Sequence, residues 1–182
     1  MIKLPYIETE RLILRPFSLE DAKEVQRLAG DMEIAKTTLN IPHPYEDGMA
    51  EEWINRHVEE YERGISLTLA ISHKEEKYLI GAIGLAINKK HDRAELGYWI
   101  GRPYWNRGYC SEAARTLCDY GFQKIGLNKI CATHLKRNPA SGKVMQKIGM
   151  EQEGVFKKHV KKWGKYEDLV YYGMVKSWRE IS

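Results

Sequence analysis

Trp105-Asn106-Arg107-Gly108-Tyr109-Cys110-Ser111-Glu112 is the stretch on which the reading of this chain turns. It follows an apolar, strand-like run from Ala94 to Ile100 and leads into an amphipathic helical pattern. A glycine-centred turn that opens a helix aims several backbone N–H groups at one point. The helix dipole adds positive potential there, which suits a phosphate or pyrophosphate. An ordinary loop with Ser111 as the helix cap would carry the same residues, so the turn alone leaves both readings open.

Downstream, Ser111 to Gly126 has the helical period, with Ala113, Ala114, Leu117, Cys118 and Phe122 on one face and Gly126 as the stop. Upstream, residues 66–73, 78–87 and 93–100 read as three strands whose short polar separators predict an antiparallel meander. Arg11 to Phe17 alternates as a strand that Pro16 stops. Ser18 then caps a helix running to Gly30, with Asp21 as its acidic third residue. Residues 31–45 read as irregular, with Pro42 and Pro44 as breakers. A second helix is predicted over 46–63, carrying Met49, Trp53, His57 and Tyr61 on one stripe. After the central helix come a strand from Lys129 to Lys136 and a short helix from about Asn138 to Gly149. Strands over 151–160 and 167–175 then flank a turn at Trp163-Gly164. The order describes a mixed α/β fold with its key helix just after a central strand.

Composition bounds the function. A chain of 182 residues is most simply one domain, 1–182, and 43% hydrophobic with 30% charged residues is ordinary for a soluble globular protein. A net charge of +4 suits an anionic ligand and falls short of the dense basic footprint of a nucleic-acid binder. The three cysteines, Cys110, Cys118 and Cys131, form no CxxC pair, so the expected setting is a reducing cytoplasm. No signal-peptide pattern or membrane-length apolar window is present, which argues against a membrane partner. None of the six histidines has metal-ligand spacing, and no metal is expected.

Several residues carry chemistry. Glu95 lies among Ala94, Leu96, Tyr98 and Ile100 and shares a strand face with Gly97 and Trp99. A carboxylate in apolar surroundings holds a proton more tightly, which suits a base that must deprotonate an ammonium. A structural glutamate paired with a nearby cation is the alternative. Asn138 before Pro139 is an ordinary turn and cap device. Lys143 and Lys147 share a helix face that is either solvated or placed to meet phosphates. Lys157-Lys158-His159-Val160-Lys161-Lys162 suggests RNA, but without stacking aromatics it reads as a solvated hairpin or a substrate rim.

Taken together, the motifs resemble the GNAT N-acetyltransferases, in which Q/R-x-x-G-x-G/A between the fourth strand and third helix binds acetyl-CoA pyrophosphate. Here that motif reads Trp105-x-x-Gly108-x-Cys110. The flanking Ala94-Glu95-Leu96-Gly97-Tyr98-Trp99-Ile100 and Ser111-Glu112-Ala113 look like the ribosomal-protein N-acetyltransferase (RimJ/RimL) branch. So do the opening Glu8-Thr9-Glu10-Arg11-Leu12-Ile13-Leu14-Arg15, the Asn138-x-x-Ser141 pair and Lys147-x-Gly149. The resemblance spans about residues 8–177. Trp105 replaces the Gln/Arg of the general motif, Cys110 replaces Gly/Ala, and Asn106 stands where this branch usually has glycine. Cys110 reads as a small packing residue, although a helix N-terminus could also lower its thiol pKa.

The resemblance implies an α+β fold with a seven-stranded, mixed, mostly antiparallel sheet flanked by about four helices and splayed at the fourth and fifth strands. It implies acetyl-CoA as co-substrate, held by Asn106, Arg107, Gly108, Tyr109, Cys110 and Ser111 at the phosphates and by Asn138 and Ser141 along the pantetheine. A backbone N–H near Trp99, Ile100 or Gly101 would polarise the thioester. Glu95 is then the expected base, directly or through water. Ser141 is the preferred acid for the departing thiolate, with Tyr171 and Tyr172 as rivals. The acceptor would be a primary amine, either a protein N-terminus or a small molecule. Residues 31–65 would wall its pocket, with Trp53, His57 and Tyr61 as candidates. A homodimer is compatible with the branch. A non-catalytic acyl-CoA sensor on the same fold is the alternative function.

Overall fold

The computed structural model describes residues 3–176. Eight strands form one sheet in the order β1-β2-β3-β4-β5-β6-β8-β7. They are β1 (Ile7–Glu8), β2 (Leu12–Arg15), β3 (Ser66–His73), β4 (Leu79–Asn88), β5 (Arg93–Ile100), β6 (Lys129–Leu135), β7 (Glu151–Lys162) and β8 (Lys165–Val175). The strand beyond the expected seven is the two-residue β1, too short to show a period, which pairs with β2 through Ile7↔Leu14 and Glu8↔Ile13. All pairings are antiparallel except β5 with β6. That parallel ladder holds only Arg93↔Lys129, Ala94↔Ile130 and Glu95↔Cys131 before the strands part.

Among the described residues there are six α-helices: α1 (Ala22–Ala29), α2 (Met32–Thr37), α3 (Met49–Asn55), α4 (His57–Glu62), α5 (Tyr109–Tyr120) and α6 (Pro139–Lys147). Helix α2 lies inside the segment expected to be irregular. Asp31 makes it possible by accepting the Glu33 N–H at 2.8 Å, a cap that the sparse apolar pattern of this segment concealed. The predicted 46–63 helix starts late, after Gly48 at φ +86°, and divides at Arg56. Arg56 keeps helical dihedrals, so Trp53 and His57 stay stacked edge to face at 4.4 Å. At the first helix, the Asp21 carboxylate accepts the Ser18 N–H at 2.9 Å, as the capping pattern requires, and also pairs with Arg15 at 2.7 Å. The Trp163-Gly164 hairpin has both residues at positive φ, the geometry that matches strand twist in a two-residue turn.

Strand alternation divides the core. Ala94, Leu96 and Ile100 pack with Leu117, Ala113 and Met145 under α5 and α6. On the other face Trp99 packs with Val25, Leu28, Ala50 and Ile54 of α1 and α3. Helix α6 approaches β6 through Gly142, where an added Cβ would lie 2.7 Å from His134 Nε2. The His134 ring cannot yield, because it is buried, its Nδ1–H donates to Leu135 O at 2.9 Å, and it packs on Tyr172. Gly142→Ala is therefore expected to cost about 1–3 kcal/mol of stability, read as a lower urea midpoint with an unchanged slope.

Candidate active site

The 105–112 turn is built by two left-handed residues, Asn106 at φ +61° and Gly108 at φ +80°. Asparagine tolerates that region better than other residues with a Cβ, which explains how it replaces glycine at 106. Gly108 is the cap of α5, so Ser111 sits inside the first turn and is not itself the cap. The first helical bond runs from Glu112 N–H to Gly108 O at 3.1 Å. The N–H groups of Tyr109, Cys110 and Ser111 therefore have no intrahelical acceptor and converge at the helix end. Trp105 ties the turn to the end of β5 by donating its Nε1–H to Ile100 O at 2.6 Å.

A second restraint comes from the N-terminal segment. Arg11 donates to Arg107 O at 3.0 Å, lies 4.8 Å from the centre of the Tyr109 ring and pairs with Glu112 at 2.7 Å. Glu112 also accepts the Thr9 hydroxyl at 2.6 Å and the Arg11 N–H at 2.9 Å. In the sequence Thr9 and Arg11 stand only as members of the Glu8–Arg15 motif. Their partner lies about a hundred residues away, and no periodicity signals it. Cys110 packs against the core, the role expected of a small residue there, and burial pushes its thiol up, so the helix end does not activate it.

Beyond Glu95 the edge of β5 facing β6 opens into a groove. Gly101 N–H donates to Ile80 O at 2.8 Å. Antiparallel pairs alternate in bonding, so Trp99, opposite Ala82, also turns its N–H toward β4, while Tyr98 and Ile100 turn theirs toward the groove. The bonds that Ile100 O and Ala94 O accept, from Trp105 and from Cys131 Sγ at 3.4 Å, agree with this alternation. Of Trp99, Ile100 and Gly101, only Ile100 aims a backbone donor into the opening. Across it stands Ser141 in the first turn of α6, its Oγ 2.9 Å from Tyr98 Oη. Burial pushes the Tyr98 phenol up, so the Tyr98 proton stays in place at any working pH. Asn138 turns away from its own helix, and its Nδ2 donates to Thr37 O at 3.1 Å. Lys143 and Lys147 are exposed.

Glu95 faces the opposite side of β5 from Tyr98. It is exposed, not sunk among apolar neighbours, because Ala94 and Leu96 point to the α5 side and Glu95 does not. Thr133 Oγ1 donates to it at 3.0 Å. By strand register Glu95 shares its face with Cys131, Thr133 and Tyr171. Burial, reinforced by the hydrogen bond with Cys131, pushes the Tyr171 phenol up to about 12. Tyr172 points the other way, into the core, and accepts Gln146 Nε2–H at 3.2 Å.

On the Glu95 face a cleft of about 780 Å³ opens between α1, α3, the 40–45 loop and β5. Trp53 lines it as expected, together with Tyr45, Met49 and Trp99. His57 and Tyr61 do not: His57 is buried behind Trp53, and Tyr61 packs on the main core. The loop that forms one wall is held from two sides. Asn138 binds Thr37 O, and Lys162 Nζ donates to Thr38 O and to Leu39 O at 3.1 Å. Lys162 is thus the one buried member of a run read as solvated, and burial pushes its ammonium down. Among the described residues no group of three or more His, Cys, Asp or Glu could hold a metal, and no helix is long and apolar enough to cross a membrane.

Comparison with known proteins agrees with this architecture. Residues 11–151 match the Acetyltransferase (GNAT) domain. The chain is 31% identical over 173 residues to the uncharacterized N-acetyltransferase YoaA of Bacillus subtilis, covering 94% of this chain and 97% of that protein. A crystal structure of a GNAT-family acetyltransferase from Bacillus anthracis superposes with a TM-score of 0.83 at 29% identity, covering 94% of this chain and 98% of that one. The microcin C7 self-immunity acetyltransferase MccE, solved with acetyl-CoA and AMP, shares the fold with a TM-score of 0.84 at 20% identity, over 92% and 94% of the two chains. The opened edge of β5, the glycine turn at the head of α5 and these matches lead to one conclusion: the chain belongs to the GNAT family and is an acetyl-CoA-dependent N-acetyltransferase.

Proposed function

We propose that the chain, as one transferase domain, moves an acetyl group directly from acetyl-CoA to a primary amine that enters from the cleft beside Trp99. The observation that carries this reading is the end of the β5–β6 ladder at Glu95↔Cys131. It leaves a groove with helix-end N–H groups at one end and Ser141 with Tyr98 on its far side. The groove suits a pantetheine arm, and the N–H groups of Tyr109, Cys110 and Ser111 suit its pyrophosphate.

Acetyl-CoA supplies an activated acyl group as a thioester. Glu95, directly or through water, takes a proton from the acceptor ammonium, because only the neutral amine has a lone pair to form the new C–N bond. Ile100 N–H donates to the carbonyl oxygen as negative charge collects there. As the C–N bond forms, the nitrogen sheds its second proton to water. Ser141 Oγ–H gives its proton to the sulfur as the C–S bond breaks, and the proton carried by water restores the hydroxyl. Tyr98, with its tightly held proton, keeps Ser141 oriented. The balance is one amide and one thiol formed from one amine and one thioester, with no covalent enzyme intermediate.

Mixing the protein with acetyl-CoA and a broad set of amines and peptides tests the reading. Amine-dependent thiol release matched by an N-acetyl product is expected, and thiol release with no acetylated product would sink it. For the phosphate end, Arg11→Ala removes a cation beside the turn, releases Arg107 O and leaves Glu112 uncompensated. A loss near 1.4 kcal/mol is expected, so the Kd for CoA should rise roughly tenfold by calorimetry. An unchanged Kd would move the phosphates elsewhere.

A further inference from the structure

On the transferase reading just given, we infer that the acceptor is a small aromatic amine bearing one carboxylate, of the aromatic amino-acid class. The cleft holds about 780 Å³, within the range that encloses a ring-bearing small molecule. Its walls bring Trp53 from α3, Trp99 from β5 and Tyr45 from the loop around one space, with Ile41 and Pro42 completing an apolar lining. Flat π-surfaces reward a flat guest beyond the area buried, through offset or edge-to-face contact.

The walls are set before anything binds. Phe17 at 5.0 Å and His57 at 4.4 Å hold the Trp53 ring edge to face. Asn138 and Lys162 hold the loop backbone just before Ile41 and Pro42. A pre-formed slot keeps more of its contact energy as affinity, because little ordering is required on binding. The lining carries one guanidinium, Arg56, and one carboxylate, Glu52, a helical turn apart. Among the described residues neither takes part in an ion pair. Arg56 matches a single carboxylate with two parallel hydrogen bonds. One glutamate is too little negative charge for a polyamine with several ammonium groups. The cleft selects the body of the acceptor and opens on the face of β5 that also carries Glu95, which takes the proton directly or through water.

Thiol release from acetyl-CoA with L-tryptophan, L-phenylalanine, L-leucine, tryptamine and spermidine tests the assignment. We expect kcat/KM for the aromatic amino acids to exceed L-leucine, tryptamine and spermidine by roughly tenfold or more. Trp53→Leu should erase the tryptophan-over-leucine ratio while leaving the KM for acetyl-CoA unchanged, and Trp53→Phe should restore most of it. Arg56→Ala should bring tryptophan down to the level of tryptamine. Equal or faster turnover of leucine or spermidine, or a ratio untouched in Trp53→Leu, overturns the assignment. Turnover of none of these amines, with other amines accepted, overturns the acceptor class alone. If no amine of any kind is acetylated, the transfer reading fails, and calorimetric titration of L-tryptophan into the protein decides the cleft separately. Heat lost in Trp53→Leu supports the aromatic slot, and no heat with the unmodified chain refutes it.

Discussion

Glu95→Gln is expected to keep acetyl-CoA binding and lose roughly 10²–10⁴-fold in kcat/KM near neutral pH, the usual worth of a positioned general base. Glu95 is exposed, and among the described residues its hydrogen-bond partner is Thr133 Oγ1, which can donate to a glutamine oxygen at the same place. The fold should therefore be indifferent to the change, so any loss is catalytic. The deficit should narrow as the pH approaches the pKa of the acceptor amine itself, because the amine then arrives neutral and needs no base. Thr133→Val is the control: it removes the hydrogen bond and leaves the carboxylate, and should cost far less than Glu95→Gln. A rate unchanged in Glu95→Gln at neutral pH would remove the carboxylate from the mechanism and leave proton removal to water or another group.

His57 should make the protein acid-labile in a pH window where most carboxylates are still charged. It is 4% exposed, neither ring nitrogen has a hydrogen-bond partner among the described residues, and its neighbours are the rings of Trp53 and Phe17. Burial lowers its pKa from 6.5 to about 4; Glu60 opposes the shift and Arg56 adds to it. Between these values the unfolded chain binds the proton and the folded chain does not, so stability is full above pH 6.5 and declines as pH falls toward 4. At about 1.4 kcal/mol per unit, the loss is about 2 kcal/mol by pH 5 and about 3 kcal/mol in full. Urea unfolding at pH 7.5 and 5.0 measures it. His57→Phe keeps a ring against Trp53 and should flatten the dependence across that interval. The same slope in His57→Phe would assign the lability to other groups.

What was legible beforehand and what was not divide at particular residues. The glycine turn, the alternation that sets Glu95, Gly97 and Trp99 on one strand face, and the Ser18–Asp21 capping pattern all stand in the structure as expected. Helix α2 was not legible because its signal is one capping aspartate, Asp31, with no strong apolar stripe behind it. His57 sat correctly on the stripe with Trp53, but the stripe could not say which member lines the cleft and which lies behind it. Cys110 packs against the core as a small residue, as expected, and desolvation there outweighs any pull of the helix end on its thiol.

Backbone dihedrals, strand and helix periods and the glycine turn are properties of short runs, so residues 93–100 and 105–112 carried enough to set a strand, a turn and the head of a helix in order, and the family resemblance supplied the acetyl-CoA. Exposure and long-range partnership depend on what packs opposite. Only the tertiary structure could set Arg11 and Glu112 against each other, bind Asn138 to Thr37, bury Lys162 against the backbone of Thr38 and Leu39 or leave Glu95 in the open. Such contacts join segments far apart in the chain, and no local pattern encodes them, because each side chain satisfies its own neighbourhood equally well with many partners.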